Sequence, residues 1–204
     1  MKRVFCIISL FILFFSFVFI SAKSYANNVL DDLSDNFFRL HILANSDSDE
    51  DQNLKLKVRD NIIKYMNQLS YDGLTKQDAI NLTCSNLNNF KQIAEKTIID
   101  EGYDYSVNLE IGNFYFPTKE YGNISLPAGY YDALKIEIGN ANGKNWWCSL
   151  FPPLCFVDIS AGVIDEESEE FLKENLSDEE FAIITDSSEN VKFKFKIIEM
   201  LNDK

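Results

Sequence analysis

One histidine, four cysteines and a short acidic run are the side chains of this 204-residue chain that invite a chemical reading. His41 sits in the run FFRLHILAN, with Arg39 two residues earlier on the same face if the backbone is extended. No second histidine or ligand cluster stands near it in the sequence, so neither a zinc site nor a histidine-based acid–base pair can be assembled. Cys148 and Cys155 are separated by six residues, whereas a redox dithiol needs two between its cysteines. The run Asp47-Ser48-Asp49-Glu50-Asp51 opens like a calcium loop. Its sixth position is Gln52 where the turn needs glycine, and its twelfth is Val58 where the ion needs a carboxylate. Nucleophile elbows and phosphate-cradling glycine motifs are absent from the sequence. The expectation is a protein that is not an enzyme and that uses no metal and no cofactor.

The densest stretch is NWWCSLFPPLCF, Asn145–Phe156. Pro152 and Pro153 lack backbone donors, which excludes a helix interior or a central strand at that point. In an extended segment Trp146 and Trp147 point to opposite faces, so one of them needs a second surface to cover it. The cysteines flank the Pro-Pro bend and form a candidate disulfide, Cys148–Cys155, with free thiols as the open alternative. Closing so short a loop would contribute about 2.5 kcal/mol through chain entropy. Cys84 falls in a helical pattern and reads as a buried thiol.

These residues need elements to hold them. Phe38, Leu40 and Ile42 alternate with Arg39 and His41, the period of a half-buried strand. Asn45–Ser48 supplies a turn and a helix N-cap, and Asp49, Glu50 and Asp51 suit the positive end of the helix that follows. Leu54, Val58, Ile62, Tyr65, Met66 and Leu69 mark that helix, with Tyr71-Asp72-Gly73 as its stop. Thr75 caps a second helical stretch that runs to Gly102, where Ser85-Asn86 is a point of breakage. Strands are expected over 105–116, 118–125, 130–138 and 146–150, with Gly139–Gly143 as a loop and Gly129 in a turn requiring positive φ. Residues 166–174 read as an acidic helix. Val191, Phe193, Phe195 and Ile197 alternate as in a strand, although Phe195, Ile198 and Leu201 also suit a helix. The sum is an α+β single domain, an N-terminal strand and helices followed by a mostly antiparallel sheet.

Lys2 and Arg3 precede an uncharged apolar run, Val4–Ile20, and Ser24-Tyr25-Ala26 offers small residues at a cleavage site. The run would measure roughly 26 Å as a helix, short of a hydrocarbon core of about 30 Å. Residues 1–26 read as a signal peptide and 27–204 as the exported domain, with cleavage after Ala22 or an uncleaved anchor as alternatives. Residues 1–26 hold Lys2, Arg3 and Lys23 and no acid, so of 19 basic and 32 acidic side chains 16 and 32 remain, a formal charge of −16. Such a surface does not suit nucleic acid or anionic lipid headgroups.

Two blocks resemble the signatures of the stage II sporulation protein R family, secreted signalling proteins of endospore-forming bacteria. One is FFRLHILANSDSDEDQNLKLKVRD, Phe37–Asp60. The other joins LPAGYYDALKIEIG, Leu126–Gly139, to Asn145–Phe156. The resemblance implies export into the space between forespore and mother cell. It also implies a partner, a membrane-embedded aspartic protease that processes the sigma-E precursor and is switched on by binding. A ligand drives such a switch only by binding the active state more tightly than the inactive one. Trp146, Trp147, Phe151 and Leu154 are the candidate contact residues, with Arg39, Asn45 and Asp47 as polar companions, because aromatics and arginine anchor interfaces. Packing in the core is the competing role for this block. A secreted cell-envelope hydrolase or a structural envelope protein is the alternative function.

Overall fold

The computed structural model describes residues 2–69, 74–156, 164 and 166–185. Val191–Leu201, the segment of ambiguous period, lies outside them. The elements in chain order are α1 (Lys2–Asn36), β1 (Phe38–Leu43), α2 (Asp49–Gln68), α3 (Lys76–Ser85), α4 (Leu87–Asp100), β2 (Val107–Phe116), β3 (Lys119–Tyr121), β4 (Ile124–Leu126), β5 (Gly129–Ile138) and β6 (Asn145–Phe151). A 3-10 turn (Leu154–Phe156), α5 (Glu166–Asn175) and α6 (Asp178–Thr185) follow. The fold is α+β. Its main sheet has the order β2-β5-β1-β6, with β1 parallel to β5 and the other two pairings antiparallel.

Pairing fixes two faces. Leu40, Ile42, Leu134, Ile136 and Ile138 are buried in register on one of them, and α2 and α4 supply Leu54, Val58, Ile62, Phe90, Ala94 and Ile98 to the same core. Those helical residues recur every three or four positions, which is why one stripe of each helix is buried. The other face carries Arg39, His41, Tyr131, Phe116 and Trp147. The alternation in β1 therefore does not mark a half-buried strand: Arg39 is fully enclosed and His41 is buried. Being central in the sheet, β1 has a neighbour on each edge and material on each face.

Ser48 caps α2 by accepting from the Asp51 amide, behind a first turn of three acids. Thr75 and Asp78 form a reciprocal capping box on α3. The break foreseen at Ser85-Asn86 is the α3–α4 boundary, and Gly102 ends the helical region with φ +86. The stretch expected as one strand over 118–125 is instead a hairpin, β3 paired with β4 around Gly122 at φ +56. Gly129 opens β5 without positive φ; that conformation falls at Gly102, Gly122 and Gly139 among the described glycines. Cys84 is exposed rather than buried, and α6 was not foreseen from the sequence.

The apolar N-terminal run is helical, but the helix continues past Ala26 to Asn36. Its side chains from Ile7 to Ile20 are exposed, whereas Leu30 and Leu33 are buried against the body. Among the described residues no helix is long and apolar enough to cross a membrane.

Candidate functional site

The two halves of the site are loops that grip one another. The turn Ala44–Ser48 leaves the end of β1, and the loop Gly139–Lys144 joins β5 to β6. The Asn45 side-chain carbonyl accepts from the Asn140 amide at 3.0 Å, and the Asp47 carboxylate accepts from the Lys144 amide at 2.7 Å. Backbone bonds add Gly143 to the Ala44 carbonyl at 2.9 Å and Asn142 to the Asn45 carbonyl at 3.2 Å. From α2, the Lys55 ammonium reaches the Lys144 carbonyl at 2.8 Å and the Gln52 side chain at 2.7 Å. Asn45 and Asp47 thus bond to groups of the same chain, with Asn45 partly buried and Asp47 still exposed.

Asp51 is the anchor of this clamp. Its carboxylate accepts from the Asn45 amide group at 2.8 Å and the Ser46 hydroxyl at 2.6 Å. Burial pushes its pKa up, but the bonds from Ser46, Asn45 and Tyr105 outweigh burial and hold the carboxyl below its ordinary value. Lys55 is buried without an ion pair among the described residues, and burial lowers its pKa. Because Asp51 is depressed in the fold, its stabilising contribution is present above the unfolded carboxylate range of about 4 and is lost as pH falls through its lower folded value. Asp51→Asn should flatten the acid limb of a stability-versus-pH curve, measured by urea unfolding below about pH 4.

The second part is the aromatic face. Trp147 stacks on His41 with ring centroids 3.7 Å apart, and Phe116 meets Trp147 edge-on at 4.7 Å. His41 Nε2 lies 2.8 Å from the Asn145 side-chain oxygen, so the neutral tautomer with the proton on Nε2 donates there. Burial lowers the His41 pKa; the Asn145 bond opposes it, while Lys135 lowers and Glu137 raises it. The folded state therefore prefers neutral His41. Stability should be full above about pH 6.5, where the unfolded histidine is also neutral, and should decline below it as the unfolded state takes up a proton. His41→Phe should remove that decline, read as a flatter unfolding midpoint between about pH 6.5 and pH 5.

Arg39 lies deeper on the same face. Its guanidinium is 4.1 Å from the Phe116 ring centre and 4.8 Å from that of Tyr131, and Nη2 donates to the Tyr121 hydroxyl at 2.8 Å. Burial raises the Tyr121 pKa against the opposing influence of Arg39. The β3–β4 hairpin, which carries Tyr121, is tied down through this contact.

Of the seven candidate contact residues, Arg39, Phe151 and Leu154 are inside the fold. As placed, they offer no surface to a partner. Trp146 and Trp147 are partly exposed on opposite faces of β6, as the alternation required; Trp146 packs against the Arg59 guanidinium at 4.2 Å on the helical side. Cys148 and Cys155 are brought together as a disulfide, their Cα atoms 5.3 Å apart. Reduction, or Cys155→Ser, should cost about 2.5 kcal/mol, visible as a lower urea midpoint than that of the oxidised chain. Sequence reading placed Asp51 in the first turn of α2 and Gly139–Gly143 in a loop, but brought neither them nor Lys55 into the site. The signal that could have found them is the Gly-Asn-Ala-Asn-Gly run, because two glycines bracketing short polar residues mark a loop pressed against something. Among the described residues no group of three His, Cys, Asp or Glu side chains could hold a metal ion.

Comparison with known proteins bears on this same region. Residues 34–161 match the family model for stage II sporulation protein R, a span that includes both gripping loops and the aromatic face. Stage II sporulation protein R of Bacillus subtilis (strain 168) is 44% identical over 138 residues, 68% of this chain and 62% of that protein. This chain therefore matches less than two thirds of that relative's length. No solved structure matches. With a family model covering most of the chain and a relative this similar, the chain belongs to the stage II sporulation protein R family.

Proposed function

We propose that this chain is an exported signalling protein of sporulation that switches on a membrane-embedded aspartic protease, which then processes the sigma-E precursor in the mother cell. The observation that carries the reading is the family match over residues 34–161, to which the resemblance of the two sequence blocks adds the signalling role. The N-terminal apolar run supplies export as a signal peptide ending at Ala26, and the protein acts in the space between forespore and mother cell. It needs no catalytic group of its own. Its work is done by binding one state of the protease better than another.

The contact is made by the Trp147–His41 face. Trp147 is the aromatic of the second block that remains partly exposed on the face opposite the helices, and Asn145 beside it is exposed. An aromatic at the centre of an interface contributes about 2 kcal/mol or more, about thirtyfold in affinity. Arg39, Phe151 and Leu154 support that face from within rather than touching the partner.

The test is sigma-E precursor cleavage in cells that co-express the protease and the precursor. The expected result is cleavage with the complete chain and none with a chain lacking residues 2–26. Trp147→Ala should reduce cleavage severely while the purified variant still unfolds cooperatively. Failure of a folded, exported chain to trigger cleavage by its cognate protease would overturn the proposal.

A further inference from the structure

We propose that residues 191–197 of this same chain add to the outer edge of β2 as a further strand of the main sheet, antiparallel to β2 and with Lys194 opposite Glu110. The reading is independent of the protease assignment and concerns a different part of the surface. β2 ends the strand order, so among the described residues nothing pairs with its outer side. Its ladder to β5 runs without a shift from Val107 to Phe116, and it holds neither proline nor lysine. Proline, lysine and bulges are the usual devices that keep an edge strand from pairing. The opposite edge is not open in this way. β6 turns off at Pro152 and Pro153, and the Cys148–Cys155 disulfide holds that turn against it.

Burial falls off toward the β2 edge. Leu109 and Ile111 are half-buried, whereas Ile136 and Leu134, their partners across the ladder, are fully buried. Outside α1, the large apolar side chains left exposed among the described residues are Ile99, at 68%, and Tyr130, at 64%. Ile99 lies on the flank of α4 opposite Thr97, which bonds to Asn61 of α2, and α4 packs on β2. Tyr130 is next to β2 in the ladder, on the side of Leu134 and Ile136. An apolar strip thus follows the helical side of β2, where an added strand would cover it.

The sequence supplies a segment of matching pattern. Val191, Phe193, Phe195 and Ile197 alternate with Lys192, Lys194 and Lys196, with no acid among them. With Lys194 opposite Glu110, antiparallel pairing places Phe193 opposite Ile111 and Phe195 opposite Leu109. The lysines then fall on the other face, beside Asn108 and Glu110. Glu110 is exposed, and the ammonium of Lys135, its partner across the ladder, is taken by Glu137. A cation on the added strand matches that charge. The connection also reaches. α6 packs on β4, the β3–β4 hairpin follows β2 after two residues, and residues 186–190 span at most about 20 Å. The segment therefore enters at the Phe116 end of β2 and runs antiparallel to it.

The experiment uses the full chain in a non-ionic detergent, with Cys6 and Cys84 replaced by serine so that added thiols meet only one another. Under oxidised glutathione, Glu110→Cys/Lys194→Cys should close an intramolecular disulfide about tenfold faster than Lys144→Cys/Lys194→Cys, whose first cysteine lies at the opposite edge. Both variants should keep the urea midpoint of their parent when reduced. Independently, a chain ending at Asn190 should exchange its amides over residues 107–113 about tenfold faster than the full chain, while β1 keeps its protection. Equal closure rates for the two pairs would describe a loose tail and overturn the proposal. Exchange unchanged by the truncation would overturn it as well. So would a Glu110→Cys/Lys194→Cys product that is a disulfide-linked dimer, because a second copy would then occupy the edge.

Discussion

Replacing Gly143 with alanine should destabilise the protein by about 3 kcal/mol, near the top of the range for forcing atoms into a filled space. A Cβ built at this position would lie 2.1 Å from the Ser46 carbonyl oxygen and 2.9 Å from the Ala44 Cβ. The Ser46 oxygen is backbone, and it already accepts from the Gln52 side chain at 2.8 Å. It cannot swing aside as the end of a flexible side chain would. Relief requires moving the whole Gly139–Lys144 loop away from the β1–α2 turn, which breaks the bonds to Asn45, Asp47 and Lys55 together. For a chain of this size the loss corresponds to a melting temperature lower by about 6–12 °C. Gly102→Ala is the control. It has positive φ but nothing within 4 Å of the added atom, so its cost is conformational alone, about 1 kcal/mol. Ala141 gives the opposite sign in the same loop. At φ +51 it pays a steric penalty that glycine lacks. Ala141→Gly should therefore stabilise by about 0.5–1 kcal/mol after the entropy gained by the unfolded chain is deducted. Thermal unfolding of the three variants decides the matter: a Gly143→Ala variant no worse than Gly102→Ala would mean that the two loops are not in contact.

This loop pair shows where sequence reading succeeds and where it stops. The turn at Asn45–Ser48, the α2 cap and the 139–143 loop are each legible locally, since cap and turn residues act on neighbours in sequence. That the two loops touch is not legible, because the contact spans about a hundred residues and depends on β1 lying parallel to β5. Asn45 and Asp47 therefore read as free polar groups until the sheet order is known. The same holds for Arg39 and His41. Alternation placed them correctly on one face, but alternation cannot say that Phe116, Tyr131 and the β3–β4 hairpin cover that face. The missed hairpin has the same origin: three-residue strands are too short to display a period, and Gly122 was their one local mark. The helical core was legible because each of its stripes repeats over several turns.

Arg39 yields the second large effect, and its direction depends on which of two opposed contributions prevails. The side chain is fully enclosed, and among the described residues no carboxylate pairs with it. Taking an ion out of water costs several kcal/mol. Against that stand two aromatic rings within 4.8 Å, the bond to Tyr121, and a long 3.5 Å contact from Nε to the Cys148 carbonyl. Ring contacts to a desolvated cation contribute about 2 kcal/mol, and a hydrogen bond of a charged donor about 1.5–3 kcal/mol. Desolvation and attraction are thus of similar size, which leaves the packing of the long stem as the dominant loss on truncation. Arg39→Ala should cost about 3–4 kcal/mol, as large-to-alanine changes in cores do. Arg39→Met keeps the stem, removes the ion and should stay within about 1 kcal/mol of the parent. Arg39→Lys keeps a charge without the planar fork that lies over the rings and should fall between them. Urea unfolding gives the order Met, Lys, Ala if packing dominates. If Met proves as damaging as Ala, the charge itself is matched and required. Under the proposed signalling role the same variants separate a scaffold from a contact surface: Arg39→Met, folded and unable to make a charged contact, should retain sigma-E precursor cleavage within about twofold, whereas Trp147→Ala should lose it, as expected if a central aromatic carries the proposed interface. Loss of cleavage in a stable Arg39→Met chain would instead mean that this enclosed guanidinium becomes exposed to the partner during binding, with the β3–β4 hairpin as the part that must lift.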